Sequence, residues 1–317
     1  MRLRPLTGPL AASLLATVTL TACSSGGNAA ETSGQQGGSS SDVRAVEHTM
    51  GSTEVPVEPQ RVVVLDSPHL DTALALGVTP VGSVQSDVAE GLPGYLGDRT
   101  EGIEVVGTIE EPDLEAIAAL EPDLILSSQV RHEAIYEQLG DIAPTVFTEY
   151  EEGWEAIAGT TADALGRADE GEELLADYRD RAGEVGEAVG ASDLRASVVR
   201  FLPDETRVYG PDTFSGSVLT DVGFGLPDLE YDEYSMAYLS AEEITQADAD
   251  ILFATTYGPA EETTRGSVSA LWGGLSAVQR GCQFDVEDSE WMLGIGPIGA
   301  GIVLDDIQAT LGDGACR

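Results

Sequence analysis

Apolar residues recur along this chain at two periods, near two and near three and a half. Short β-branched runs come first. "RVVVLD" (61–66), "VTPVGS" (78–83), "EVVGT" (104–108), "DLILSS" (123–128) and "PTVFTE" (144–149) each read as a buried strand closed by a loop signal. Between them "LDTALALG" (70–77), "PDLEAIAALEP" (112–122) and "AIYEQLGDI" (134–142) carry helical spacing. Strands alternating with helices predict parallel βαβ units, an α/β class. The alternation resumes downstream. "ASVVRFL" (196–202), "RVYG" (207–210), "DILFAT" (250–255) and "CQFDVE" (282–287) read as strands, and "SVLTDVGFG" (217–225), "AEEITQA" (241–247), "WGGLSAV" (272–278) and "GAGIVLDDIQATLG" (299–312) as helices.

Trp154 to Gly190 follows a different rule. Apolar positions fall three and four apart at Trp154, Ile157, Ala158, Thr161 and Leu165, then at Leu174, Leu175, Tyr178, Ala182, Val185 and Val189. "GRADEG" interrupts them, and Asp169 with Glu172 three later forms a capping-box pattern with aspartate as the cap. Two helices are predicted, the second of roughly 20 residues and therefore about 30 Å long. Placed between two α/β halves, it reads as a spine. The halves also share a pattern. Laying "PDLEAIAALEPDLIL" over "LSAEEITQADADILF" sets Glu115 on Glu242, Ile117 on Ile244, Asp123 on Asp250 and Ile125 on Leu252. The four pairs share one offset, which suggests duplicated architecture. Each glutamate is placed in a first helical turn, after Asp113 or Ser240 as cap, where an acid also complements the helix dipole.

Composition narrows the partners. The chain has 317 residues with 56 acids against 15 bases, a net charge of −41, and every base is arginine. Such a surface repels nucleic acid and anionic lipid. The first residues are a processing signal: Arg2 and Arg4, then the apolar run "PLTGPLAASLLATVTL", too short and too Ala/Thr-rich to span a bilayer comfortably. It ends in "LTAC", which resembles the lipobox of bacterial lipoproteins and implies cleavage after Ala22 and lipid on Cys23. "SSGGNAAETSGQQGGSSSD" then reads as a flexible tether. The remaining cysteines, Cys282 and Cys316, read most simply as a disulfide outside the cytoplasm, since a metal or redox pair needs closer spacing or further ligands.

Taken together, the lipobox, "LALGVTPVG", "VGTIEEPDLEAIAALEPDLIL", the long helix, "LSAEEI", "ADADILF" and "GPIGAGIVLDDI" resemble the substrate-binding proteins of bacterial ABC importers for iron–siderophores, haem and cobalamin. The resemblance covers the whole chain. It implies two Rossmann-like α/β lobes joined by one long spine helix, with the ligand in the cleft between them. The parts are then a signal peptide (1–22), a tether (23–41), an N-terminal lobe (42–153), a helical connector (154–191) and a C-terminal lobe (192–317). It implies that Glu115 and Glu242, one from each lobe, dock on arginines of a permease dimer that works with its ATPase. It further implies a lipid-anchored, extracytoplasmic monomer that is no enzyme, needs no cofactor and binds iron only through a siderophore.

Candidate ligand contacts are the polar and aromatic residues at strand ends: His69, Arg131, Arg200, Tyr209, Tyr234, Tyr257 and Trp291. Either arginine could instead form an ion pair, and each tyrosine could simply pack. Phe214, Tyr231 and Tyr238 lie in the same loop regions, and His48 reads as an exposed bystander near the tether. The shortage of bases favours a neutral or cationic hydroxamate chelate over a triply anionic one. A haem binder of the same fold is the alternative, with His69, His132 or a tyrosine as axial ligand. A bare-metal site is disfavoured, because the three histidines, at 48, 69 and 132, are scattered. A hydrolase elbow is disfavoured too: "FSGSVL" lacks the second glycine, and no histidine follows it.

Overall fold

The computed structural model describes residues 42–86, 91–314 and 316. The signal segment (1–22) and the tether (23–41), with Cys23, lie outside the described residues. The first described element is one the hydrophobic pattern did not foretell: an antiparallel hairpin of β1 (Val43–His48) and β2 (Gly51–Pro56), turning at Thr49–Met50. Only Val46 and Val55 are deeply buried in it, so its apolar signal is faint. His48, expected to be an exposed bystander, is instead half-buried at the turn. Its Nδ1 accepts from the Met50 and Phe147 amides (3.3 Å each), and its Nε2 lies 2.9 Å from Thr53 Oγ1, which pins the hairpin to the neighbouring sheet.

That sheet contains β3 (Val62–Val64), β4 (Gly82–Gln85), β5 (Glu104–Thr108), β6 (Leu124–Ser128) and β7 (Thr145–Thr148), all parallel, in the order β5-β4-β3-β6-β7. Its crossovers contain α1 (Ser67–Ala75), α2 (Leu114–Ala119), α3 (Gln129–His132) and α4 (Tyr136–Gly140). β3 and β6 are buried on both faces, as a sheet sandwiched between helices requires. Two helices follow, α5 (Trp154–Ala164) and α6 (Ala168–Val189), the latter 22 residues long. α6 starts after Arg167 without a side-chain cap, so Asp169 lies in its first turn and is not the cap expected of it.

The second sheet holds β8 (Ala196–Phe201), β9 (Thr206–Tyr209), β10 (Met236–Leu239), β11 (Ile251–Thr256) and β12 (Gln283–Asp285), in the order β10-β9-β8-β11-β12. This is the order of the first sheet, with one change. The four residues between β8 and β9 allow only a hairpin, so β9 runs antiparallel. β10, which places Tyr238 on a strand and not in a loop, pairs antiparallel with β9. α7 (Phe214–Val222), α8 (Arg265–Trp272), α9 (Ser276–Arg280), α10 (Asp288–Trp291) and α11 (Pro297–Leu311) complete the fold. The segment "AEEITQA" forms only a 3-10 turn at Ile244–Ala247. Asp248 turns extended directly after it and caps α9 by accepting from the Ser276 and Ala277 amides, which stops an α-helix from propagating.

The duplicated positions do duplicated work. Asp123 accepts from the Gln60 and Arg61 amides, both at 2.8 Å, and Asp250 accepts from the Arg195 amide at 2.9 Å. Each aspartate ties the start of one sheet's middle strand to the strand beside it. Ile117 and Ile244 are both fully buried. α6 packs on α5, α7 and α11, and α11 also packs on α1. A buried carboxylate strengthens that last contact. Asp71 of α1 accepts from the amides of Ile298 (2.8 Å) and Gly299 (3.1 Å), capping α11 from 227 positions away, and from Tyr95 OH (2.9 Å). A Cβ on Gly296, which has φ +148°, would stand 2.5 Å from Asp71 Oδ1, so the glycine-rich turn is what lets the carboxylate reach the helix end. Cys282 and Cys316 are joined by a disulfide with Cα atoms 5.6 Å apart.

Candidate functional site

Both sheets reverse their winding beside the middle strand, between β3 and β6 and between β8 and β11. Crevices at the carboxyl ends of strands open at such points. At the first, Asp66 follows β3 and caps α1 through the Ser67 amide. It is 1% exposed and accepts from Ser128 Oγ at the end of β6 (2.5 Å) and from Tyr150 OH beyond β7 (3.1 Å to each carboxylate oxygen). Arg131, on α3, lies over the Tyr150 ring at 6.0 Å. Burial, then the Asp66 charge, drive the Tyr150 hydroxyl well above its ordinary value, so it remains a donor at any ordinary pH.

The second crevice repeats this chemistry. Arg200 is the penultimate residue of β8 and is 8% exposed. It grips Asp288 with two parallel hydrogen bonds, Nε to Oδ1 at 2.7 Å and Nη2 to Oδ2 at 2.5 Å. Nη1 reaches Tyr209 OH at 3.4 Å, and the guanidinium lies 4.9 Å from the centre of the Tyr257 ring. Thr255 Oγ1 donates to the same Asp288 oxygen at 3.3 Å. Beside this cluster a cavity of about 770 Å³ opens along the ends of β11 and β12. Glu262, Asp285, Glu287 and Asp288 line it against a single lining base, Arg265, which is itself paired with Asp285 at 2.5 Å.

Of the residues expected at a ligand site, Arg200, Tyr209 and Tyr257 come together in one crevice, and Arg131 lies at the other. Tyr234 is 55% exposed on a turn before β10. Two expectations need correction. Trp291 is fully buried, stacked against Phe253 and donating Nε1–H to Asp306 at 2.9 Å, so it is a core residue with no face left for a ligand. His69 is also fully buried, its Nε2 3.0 Å from Thr148 Oγ1. Burial pushes its pKa down to about 4. His132 is enclosed too, between Ser127 Oγ and the Ile109 carbonyl. Neither ring is presented as an axial ligand. Among the described residues no group of three or more His, Cys, Asp or Glu side chains gathers to hold a metal ion.

Sequence reasoning missed Asp66, Tyr150 and Asp288. Each stands just beyond a strand, in "VVLDS", "FTEY" and "VEDSE". An acid at a strand's carboxyl end was the available signal for Asp66 and Asp288, and a tyrosine there, the type already proposed at 209, 234 and 257, was the signal for Tyr150. The glutamates paired by the repeat are both exposed. Asp113 caps α2 by accepting from the Glu115 and Ala116 amides (3.0 and 3.1 Å), leaving the Glu115 side chain outward in the first turn. Glu242 sits in the turn before the 3-10 segment. There Glu243 closes back on the Ser240 amide and hydroxyl (3.1 and 2.7 Å).

Two α/β lobes of matching strand order, each with an arginine–carboxylate–tyrosine cluster at its switch point, define a ligand-binding protein of the bilobal kind. The chain belongs to the periplasmic binding protein family, whose model matches residues 62–281. That family supplies substrate-binding proteins of transporters and not enzymes. Similar proteins include the probable siderophore-binding lipoprotein YfiY of Bacillus subtilis, 38% identical over 93% of this chain and 94% of that protein. The Fe(3+)-citrate-binding protein YfmC of the same organism is 32% identical over 88% of each chain. Among solved structures, Staphylococcus aureus SirA complexed with staphyloferrin B matches with a TM-score of 0.76 and 32% identity, over 84% of this chain and 98% of that one. No helix among the described residues is long and apolar enough to cross a membrane.

Proposed function

We propose that this protein is the extracytoplasmic, lipid-anchored receptor of an ABC importer, capturing a ferric siderophore and delivering it to a permease dimer. The lobes are 42–153 and 192–317, the connector with its spine helix is 154–191, and Cys23 carries the lipid. The names of the relatives support the ligand class, and the relative named a lipoprotein supports an anchor at Cys23. Arg131, Arg200, Tyr209, Tyr234 and Tyr257 are the contacts proposed for the chelate.

One observation carries the choice of chelate. Arg200 is already neutralised by Asp288, and in the adjoining cavity three further acids, Glu262, Asp285 and Glu287, face one lining base, Arg265. An anionic complex would be repelled there, so a neutral or cationic hydroxamate complex is the preferred ligand. The relative named for ferric citrate favours a second reading, a carboxylate chelate. Tryptophan-fluorescence titration of the purified protein with ferrioxamine, ferric citrate and haemin tests these. Sub-micromolar saturable quenching by ferrioxamine is the expected result. Tight binding of ferric citrate alone would install the second reading, and a Soret shift with haemin alone would replace siderophore with haem.

A further inference from the structure

We propose that Asp288 is the residue that sets which charge of chelate this protein accepts, acting as a built-in counter-ion to Arg200. The inference rests on the ferric-chelate reading above and goes beyond it by naming the selective group. A bare guanidinium at the end of β8 would be a strong anion site, since its planar fork fits a carboxylate with two hydrogen bonds. Here that fork is filled from within the chain. Asp288 occupies both Nε and Nη2, Thr255 Oγ1 steadies the same carboxylate, and Tyr257 lies beside the guanidinium at 4.9 Å. The pair is nearly buried, with side-chain exposures of 10% and 15%, so water screens its charges weakly.

An anionic chelate would therefore have to displace Asp288 to reach Arg200, leaving a buried carboxylate unpaired, a costly exchange. It would do so beside a cavity whose other charged groups are Glu262, Asp285, Glu287 and the Asp285-paired Arg265. A cationic or neutral complex meets no such barrier and can use the Tyr257 ring and the tyrosine hydroxyl at 209. The opposite crevice has the same logic in reverse order of burial: Asp66 is enclosed and Arg131 stands at the surface. Asp288 is a positioning and selectivity residue, acting through Arg200.

The test compares the wild type with Asp288→Asn, Asp288→Glu and the double variant Arg200→Gln/Asp288→Asn. Each is titrated with ferric citrate and with cationic ferrioxamine B at low and at high salt. Asp288→Asn should shift the ratio of the two dissociation constants towards ferric citrate by roughly tenfold at low salt, and by less at high salt. The double variant and Asp288→Glu should both return the ratio close to the wild-type value, because the charge balance is restored. A role in packing alone would weaken both chelates by one common factor and leave the ratio unmoved, which overturns the proposal. Should Asp288→Asn not fold, Asp288→Ser makes the same charge change with a smaller side chain: a shift of the ratio towards ferric citrate is expected, and an unmoved ratio overturns the proposal. If the wild type binds neither chelate, the ferric-chelate reading fails and takes this inference with it. If it binds at least one and the ratio does not move, only this inference fails.

Discussion

Asp71 and His69 sit two residues apart on α1, and burial pushes their titrations in opposite senses. Burial raises the Asp71 carboxyl to about 6 from an ordinary value of 3.8, despite three hydrogen bonds to its charged form. Its folded value lies above its unfolded one, so its contribution to stability is full below pH 4 and lost as pH rises through 6. Burial lowers His69 to about 4 from 6.5, so its contribution is full above 6.5 and lost as pH falls towards 4. Over the shared window the two offset each other. Asp71→Asn removes one side of the balance. Relative to wild type, it should gain about 2 kcal/mol between pH 4.5 and pH 7.5. Urea unfolding of both proteins at the two pH values measures this, because the other carboxylates cancel in the difference. Equal pH dependence in the two proteins would show that Asp71 does not titrate in that range.

At the scale of the element, α6 shows how the same residue type can mean opposite things. Gly183 is exposed, and a Cβ there would meet nothing within 4 Å. Gly186, three positions on, is buried, and a Cβ would stand 2.0 Å from the Val222 carbonyl oxygen. Gly183→Ala should therefore stabilise the protein by about 0.5–1 kcal/mol through helix propensity. Gly186→Ala must push α7 away from α6 and should destabilise by about 1–3 kcal/mol. Thermal unfolding of the two variants should move Tm in opposite directions. Periodicity located this helix and its apolar stripe, but which glycine is a contact was illegible, because the contact is with a carbonyl from a different helix. The same limit applied to "AEEITQA". Its local pattern is helical, and what ends it is the recruitment of Asp248 by α9.

For the whole molecule, the two halves share a strand order, and each presents an exposed glutamate at the equivalent place in its repeat. We propose that Glu115 and Glu242 meet arginines on the two halves of the permease. Charges fixed on a rigid body govern orientation and association rate more than affinity. The Glu115→Ala/Glu242→Ala double variant should lose iron uptake in cells while binding its chelate as the wild type does in solution. Loss of chelate binding by the purified variant would refute a docking role. The Asp71 clasp on α11 joins the first sheet's helix α1 to the last helix of the chain.

The amino-acid sequence alone determined the α/β class, the position of nearly every parallel strand, the long helix and the duplicated motif. These follow from periodicity and from local residue chemistry, which act over a few positions and survive in one dimension. The tertiary structure decided what depends on partners far along the chain. It enclosed Trp291 and His69, which looked like contacts, because Phe253, Asp306 and Thr148 close around them. It turned β9 antiparallel and set the β1–β2 hairpin against β7. It also gave each arginine a carboxylate nearby, Asp66 near Arg131 and Asp288 on Arg200, the latter 88 positions apart. A residue's charge is written in its side chain, but whether that charge faces a ligand or a counter-ion is settled only when distant strands end at the same point.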